Sequence, residues 1–390
     1  MQYRKFGRYD FEVSALGFGT MRLPTEGDID HGNRLSGKIV EDEAIRMLRH
    51  AIDHGVNYID TAYGYHEKRS ETLTGKALKD GYRDKVMLAT KSPVWLVEKP
   101  EDFDRILDEQ LKKLQTEYLD FYLLHSLNLD LWENKVLKFD LIQRAEAAQK
   151  AGKFKYLGFS FHDEYDVFVK IVDSYDKWDF CQIQYNYMDI DYQAGTKGLK
   201  YAASKGLAVV VMEPLLGGRL ANPPKYIEAM LEENGVDRSP VDLALQWLWS
   251  QPEVTVVLSG MSTMQQVEEN LESAKNSKVG LLSPEVMEII DRVRNKYRER
   301  AVIPCTGCSY CMPCPNDVDI PKNFDIYNNG IIHEDIKGAK VIYNGIFSES
   351  KRASECVGCK VCEDKCPQGI EISTWMEKVD KALKGLPEMS

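Results

Sequence analysis

Between residues 16 and 260 the chain repeats one pattern eight times: a short β-branched or aromatic run, then an amphipathic stretch of helical period. The runs are LGFG (16–19), VNYID (56–60), KVMLATK (85–91), LDFYLLH (119–125), FKYLGFS (154–160), FCQIQ (180–184), LAVVVM (207–212) and VTVVLS (254–259). Such alternation is the signature of parallel strand–helix–strand construction. Eight units spread over roughly 250 residues fit a closed (β/α)8 barrel. An open dinucleotide-binding sheet carries G-x-G-x-x-G after its first strand, and that fingerprint is missing there. The opening YRKFGRYDFEV reads as a hairpin before the barrel. PPKYIEAMLEEN and SPEVMEIIDRVRNKYRER read as helices added to the barrel, the second linking it to the C-terminal region.

With 50 Lys and Arg against 61 Asp and Glu, the formal charge is −11. That balance, with no basic cluster, argues against binding nucleic acid or an anionic membrane. The longest apolar stretch, 206–218, contains Glu213 and is too short to span a bilayer. The N-terminus has no apolar segment, so a cytoplasmic location is expected.

Cysteine usage divides the chain. Only Cys181, in the apolar DFCQIQY, precedes residue 305, and it reads as a small buried hydrophobe. The other eight form CTGCSYCMPCP (305–315) and CVGCKVCEDKCP (356–367). Reducing compartments disfavour a disulfide framework, and three cysteines at steps of three with a fourth before proline is an iron–sulfur pattern. In two-cluster ferredoxins the fourth cysteine of one run binds the other run's cluster. That rule gives one 4Fe-4S set of Cys305, Cys308, Cys311 and Cys366, and a second of Cys356, Cys359, Cys362 and Cys314. The first run departs from the pattern, because Cys314 follows Cys311 after two residues instead of three. The long spacer predicts an inserted helix or loop around 321–352. The expected organisation is therefore a (β/α)8 TIM barrel over 1–296 and a small ferredoxin-like α+β iron–sulfur domain over 297–390.

In a barrel of this kind the reacting groups sit at the carboxyl ends of the strands, which converge on one mouth. Asp60, Lys91, His125, Ser160 and Gln184 each end an apolar run. Taken singly, Asp60 reads equally as a turn cap, Lys91 as a snorkelling side chain and His125 as a buried histidine. Together they furnish a mouth in which Lys and Asp neutralise each other and residual positive charge assists a phenol as proton donor.

The strings NYIDTAYGY (57–65), ATKSP (89–93) and DFYLLHS (120–126) resemble the aldo-keto reductase superfamily, over about the first 295 residues. The resemblance implies Tyr65 as general acid, Lys91 as its partner, Asp60 as the partner of Lys91, and His125 as the group orienting a substrate carbonyl. Tyr63 is the competing phenol. It also implies NAD or NADP across the mouth, with Gly19, Thr20 and Met21 after the first strand, Asp60, Ser160 and Gln184 near the nicotinamide, and Met212 where an aromatic is usual. Pro214, Leu215, Gly217 and Gly218 would lie by the pyrophosphate, and Ser262, Thr263, Gln266, Glu269 and Asn270 at the adenine side. Three positions depart from the family: Phe161 for the usual Asn, and Gly260 and Gln266 for the Lys and Arg that hold a 2′-phosphate. Gln is no equivalent of a bidentate Arg, so NAD and NADP stand level.

Three readings are open on the sequence. The favoured one is an oxidoreductase that reduces a small aldehyde or ketone, the tail being a cap or the contact for a redox partner protein. The second is an electron-transfer enzyme whose clusters feed a flavin or substrate in the barrel, since hydride moves electrons in pairs and clusters move them singly. The third is a non-enzymatic redox-sensing barrel. Trp132 in SLNLDLWENKVL reads either as cavity lining or as packing on the barrel.

Overall fold

The computed structural model describes residues 1–26, 38–305 and 307–385. They divide into two compact units, Met1–Ala221 with Arg238–Met287, and Asn222–Asp237 with Glu288–Ser390. The helix Lys225–Glu233 thus groups with the second unit, and the helix Pro284–Arg298 runs across the division.

The first unit is a closed barrel of eight parallel strands. These are β3 (Leu16–Gly19), β4 (Tyr58–Asp60), β5 (Met87–Ser92), β6 (Leu119–Leu127), β7 (Phe154–Phe161), β8 (Phe180–Gln184), β9 (Ala208–Met212) and β10 (Val254–Gly260). Each of the eight expected runs forms one strand, and β10 closes the ring by pairing with β3. The helices behave as their periodicity predicts. In α1 (Glu41–Asp53) the buried residues Ala44, Met47, Leu48, Ala51 and Ile52 make one stripe of helical spacing.

The expected N-terminal hairpin is present as β1 (Tyr3–Lys5) and β2 (Glu12–Ser14), antiparallel. Its turn closes the barrel floor. Phe6 is fully buried, with ring centroids 4.5 Å from Phe121 and 5.4 Å from Phe180. Gly7 passes at positive φ so close that a Cβ there would meet Ala208 N at 2.6 Å. With the floor plugged by aromatic rings, the carboxyl ends of the strands form the open mouth.

The second unit carries helices at Ile320–Ile332, Ile336–Val341 and Ile372–Leu383, the first two within the spacer where an insertion was expected. Among the described residues it contains no strand, so its ferredoxin-like character lies in how helices and turns arrange the cysteines. Its core joins Phe324, Tyr343, Met376 and Leu383 to Cys311 and Cys362.

Candidate active site and cluster sites

Lys91 points into the barrel from β5 and is fully buried, as is Asp60 at the end of β4 at 2% exposure. Lys91 Nζ donates to Asp60 Oδ1 at 2.6 Å, to the Thr61 carbonyl at 2.8 Å and to the Tyr65 hydroxyl at 3.4 Å. Neither charge would be tolerated there alone. Burial works against the Lys91 ammonium, but Asp60 and Tyr65 outweigh it and leave its pKa above the ordinary lysine value. Burial also pushes the Tyr65 phenol above its ordinary value, against the pull of Lys91 and with the help of Asp60. The help expected for a phenol from residual positive charge is therefore outweighed by burial. Asp60 offsets part of the pull of Lys91, and desolvation wins. A phenol held protonated beside an ammonium remains a donor.

His125 of β6 completes the group, its ring 6.2 Å from that of Tyr65 at 77° and 5.1 Å from that of Trp95. Burial first, then Lys91 and His162, holds it well below the usual histidine pKa, so it is a neutral imidazole. Tyr63, the rival phenol, turns away. It is buried, its hydroxyl donates to Glu109 at 3.2 Å, and Lys113 lies 4.1 Å from its ring centre. Trp132 is buried at 1% exposure beside Trp178, so it packs on the barrel.

The loop carrying Tyr65 is pinned by a residue the sequence reading missed. His66 is buried, and its Nε2 accepts the Leu23 N–H at 3.2 Å. His66, Glu67 and Lys68 all have positive φ, a sharp turn that returns the chain to α2 (Ser70–Ala77).

Of the positions implied for a dinucleotide, several are committed to the scaffold. Thr20 Oγ1 donates to the Asp60 carbonyl at 3.0 Å, and Ser160 Oγ accepts the Ser126 N–H at 2.7 Å. Gln184 Nε2 donates to Asp189 at 2.8 Å, and Asn270 Nδ2 to Ser259 Oγ at 2.8 Å. Thr263 caps the helix Met264–Ala274, and Gln266 Oε1 accepts the Ser262 N–H at 2.8 Å. Other features suit a polar ligand. Gln182, on β8 two residues before Gln184, is buried, and its Oε1 has no hydrogen-bond partner among the described residues. Gly217 and Gly218 are exposed at positive φ. Arg22 lies along Gly260, where a Cβ would meet its side chain at 3.2 Å, and its guanidinium stands 3.8 Å from Glu213. A half-exposed cation thus occupies the space a Lys at 260 would use. An unpartnered buried amide oxygen, two left-handed glycines and a guanidinium along one mouth fit an extended dinucleotide.

The second unit brings the cysteines together across the two runs. One hollow is lined by Cys305, Cys308, Cys311 and Cys366, and another by Cys314, Cys356, Cys359 and Cys362. Cys314 reaches its set despite the shortened spacing. Among the described residues no three His, Cys, Asp or Glu side chains converge closely enough to hold a single metal ion. Four thiols around a hollow, lined otherwise by groups such as Ile320 and Ile372, suit a polynuclear cluster better than one zinc.

A closed parallel barrel with a Lys–Asp–Tyr constellation at its mouth and paired cysteine hollows in a separate unit defines a two-part oxidoreductase. The model of the aldo/keto reductase family matches residues 15–295, and that of a 4Fe-4S dicluster domain matches residues 304–371. The chain belongs to the aldo/keto reductase family, whose members are oxidoreductases that generally depend on NAD(P)H. It is 28% identical to an L-galactose dehydrogenase of Arabidopsis thaliana, over 70% of this chain and 87% of that one. It is 26% identical to the aldo-keto reductase YhdN of Bacillus subtilis, over 69% and 87% of the two chains. The fold matches the solved holo form of aldo-keto reductase AKR11C1 from Bacillus halodurans with a TM-score of 0.61, at 26% identity, covering 75% of this chain and 96% of that one. No helix among the described residues is long and apolar enough to cross a membrane.

Proposed function

We propose that the barrel reduces a small aldehyde or ketone, with Tyr65 as the proton donor. The observation that carries this reading is Lys91 Nζ set between Asp60 at 2.6 Å and the Tyr65 hydroxyl at 3.4 Å. The nicotinamide dinucleotide, when bound, supplies the hydride. As negative charge grows on the carbonyl oxygen, Tyr65 gives up its proton and Lys91 stabilises the phenolate left behind. Asp60 keeps Lys91 charged and aimed. Neutral His125, facing the same space as Tyr65, orients the carbonyl oxygen without competing for the proton. Trp95 beside it offers the carbonyl compound an apolar wall.

Gly217, Gly218, Ser262 and Arg22 would hold the dinucleotide phosphates, with Gln182 and Gln184 at its carboxamide end. Arg22 gives a 2′-phosphate a candidate partner, so both NADPH and NADH belong in the assay. Cys305, Cys308, Cys311 and Cys366 would hold one 4Fe-4S cluster and Cys314, Cys356, Cys359 and Cys362 the other, each able to pass single electrons. In this reading the tail is the point of contact for another redox protein.

The test is a panel of aldehydes and ketones assayed with NADH and NADPH, wild type against Tyr65→Phe. Tyr65→Phe should lose most reductase activity while retaining its fold by circular dichroism. Activity near the wild-type level in Tyr65→Phe, or no turnover of any carbonyl by an intact wild type, would reject the reading.

A further inference from the structure

Behind Lys91, on the face of β5 turned toward the helices, four fully buried polar side chains meet. They are Glu71 of α2, Thr90 of β5, Tyr122 of β6, and Gln110 of α3 (Glu101–Leu114). Alternation along a strand explains the division, because Thr90 and its neighbour Lys91 must point to opposite faces. Glu71 Oε1 accepts from the Thr90 hydroxyl at 2.7 Å and from the amide of Gln110. Tyr122 donates its hydroxyl proton to Gln110 Oε1 at 2.8 Å. Held at both ends, Gln110 directs Nε2 at the carbonyl of Lys91, 3.0 Å away.

That carbonyl needs a donor. The Ala89 carbonyl accepts the Thr61 N–H at 3.0 Å, and pairing between β4 and β5 stops at Asp60 opposite Ala89. The chain leaves the sheet there to carry Tyr65 over the mouth. Two residues further along the same edge, the carbonyl of Lys91 lies beyond the last β4–β5 pair and faces no strand among the described residues. A buried carbonyl without a donor is costly and leaves the strand end free to shift. Gln110 supplies the missing donor from a helix. It sits in the buried stripe of Phe103, Ile106, Leu107 and Leu114, where an apolar side chain would be ordinary. Lys113, 3.7 Å from Glu71, offsets the buried carboxylate that orients Gln110.

We propose that Gln110, oriented by Glu71 and Tyr122, is a positioning residue that fixes the backbone of Lys91 and thereby the place of its ammonium between Asp60 and the Tyr65 hydroxyl. It acts on where β5 ends from the helix side of the strand, bonding Glu71, Thr90, Tyr122 and the Lys91 carbonyl rather than any group proposed for substrate or dinucleotide. The proposal rests on the reading of Tyr65 as proton donor.

The test measures kcat against pH for Gln110→Met, Tyr122→Phe, Glu71→Gln and Tyr65→Phe, using the carbonyl compound turned over fastest in the panel. Dissociation constants for NADH and NADPH are read by protein fluorescence. Gln110→Met should lower kcat about tenfold to a hundredfold, as expected for a misplaced catalytic group. KM and the dinucleotide constants should stay within about twofold, which separates lost transition-state stabilisation from lost binding. The alkaline limb of the kcat profile should move to higher pH, because a displaced ammonium assists the phenol less. Tyr122→Phe should move it the same way by less, and it carries the test if Gln110→Met does not fold. Glu71→Gln, which keeps an oxygen for both donors, should stay near wild type. A limb unmoved in the folded variants, with only thermal stability reduced, overturns the proposal and leaves Tyr65 in place if Tyr65→Phe is inactive. Retained activity in Tyr65→Phe overturns the underlying reading instead.

Discussion

Lys91 and Asp60 meet at 2.6 Å in the barrel interior, and neither side chain reaches solvent appreciably. A buried pair of this kind is weak evidence for stability but strong evidence for placement, because breaking it strands a charge. Lys91→Met or Asp60→Asn alone should cost about 3–5 kcal/mol. The double substitution should be closer to wild type in stability than either single one, yet just as inactive. Urea midpoints together with kcat check this, and full additivity would contradict it.

Acid should weaken the fold through its buried histidines. Burial, with Arg69 nearby, lowers the His66 pKa from 6.5 to about 4. Below 6.5 the unfolded chain takes up a proton that the folded chain refuses until about 4, so stability falls as pH drops through that window and levels off beneath it. The full loss is on the order of 3 kcal/mol for this one group. His125 contributes with the same sign. Denaturant midpoints at pH 7 and pH 5 should differ less in His66→Asn than in wild type, and an equal difference would remove His66 from this account.

The barrel floor should matter for stability and little for chemistry. Phe6→Ala removes a fully buried ring packed between Phe121 and Phe180 and should cost about 3–5 kcal/mol. The kcat of the folded fraction should stay near wild type, since the mouth lies at the other end. A large fall in kcat at full folding would show that the two ends are coupled.

The crossed cysteine sets make an unusual demand of iron content. Cys366→Ser should damage the cluster of Cys305, Cys308 and Cys311, and Cys314→Ser that of Cys356, Cys359 and Cys362, each removing roughly half the iron and sulfide. Cys366→Ser combined with Cys308→Ser should lose little more than either alone, whereas Cys366→Ser combined with Cys359→Ser should lose nearly all. The opposite ranking would mean that each run binds its own cluster.

Much of the molecule was legible locally. Strand and helix periodicity depends on neighbours a few residues apart, so the eight strands and the hairpin could be read directly, and so could the polar residues that end each apolar run. The cysteine runs were legible for the same reason, because thiolate spacing along the chain is itself the ligand pattern. What the sequence alone did not carry was the choice between residues of equal local promise. Tyr65 rather than Tyr63 meets Lys91 because three consecutive left-handed residues beginning at His66 turn the loop, while Tyr63 finds Glu109 on a distant helix. Trp132 is packing, Arg22 fills the room left by Gly260, and Gln110 in an otherwise apolar stripe meets a carbonyl that the sheet abandons. Each outcome depends on segments far apart in sequence, where burial energy and unmatched hydrogen bonds decide which side chains end up together. Local pattern determined the elements and the chemistry available to them; only closing the barrel and folding the cysteine unit decided which groups meet.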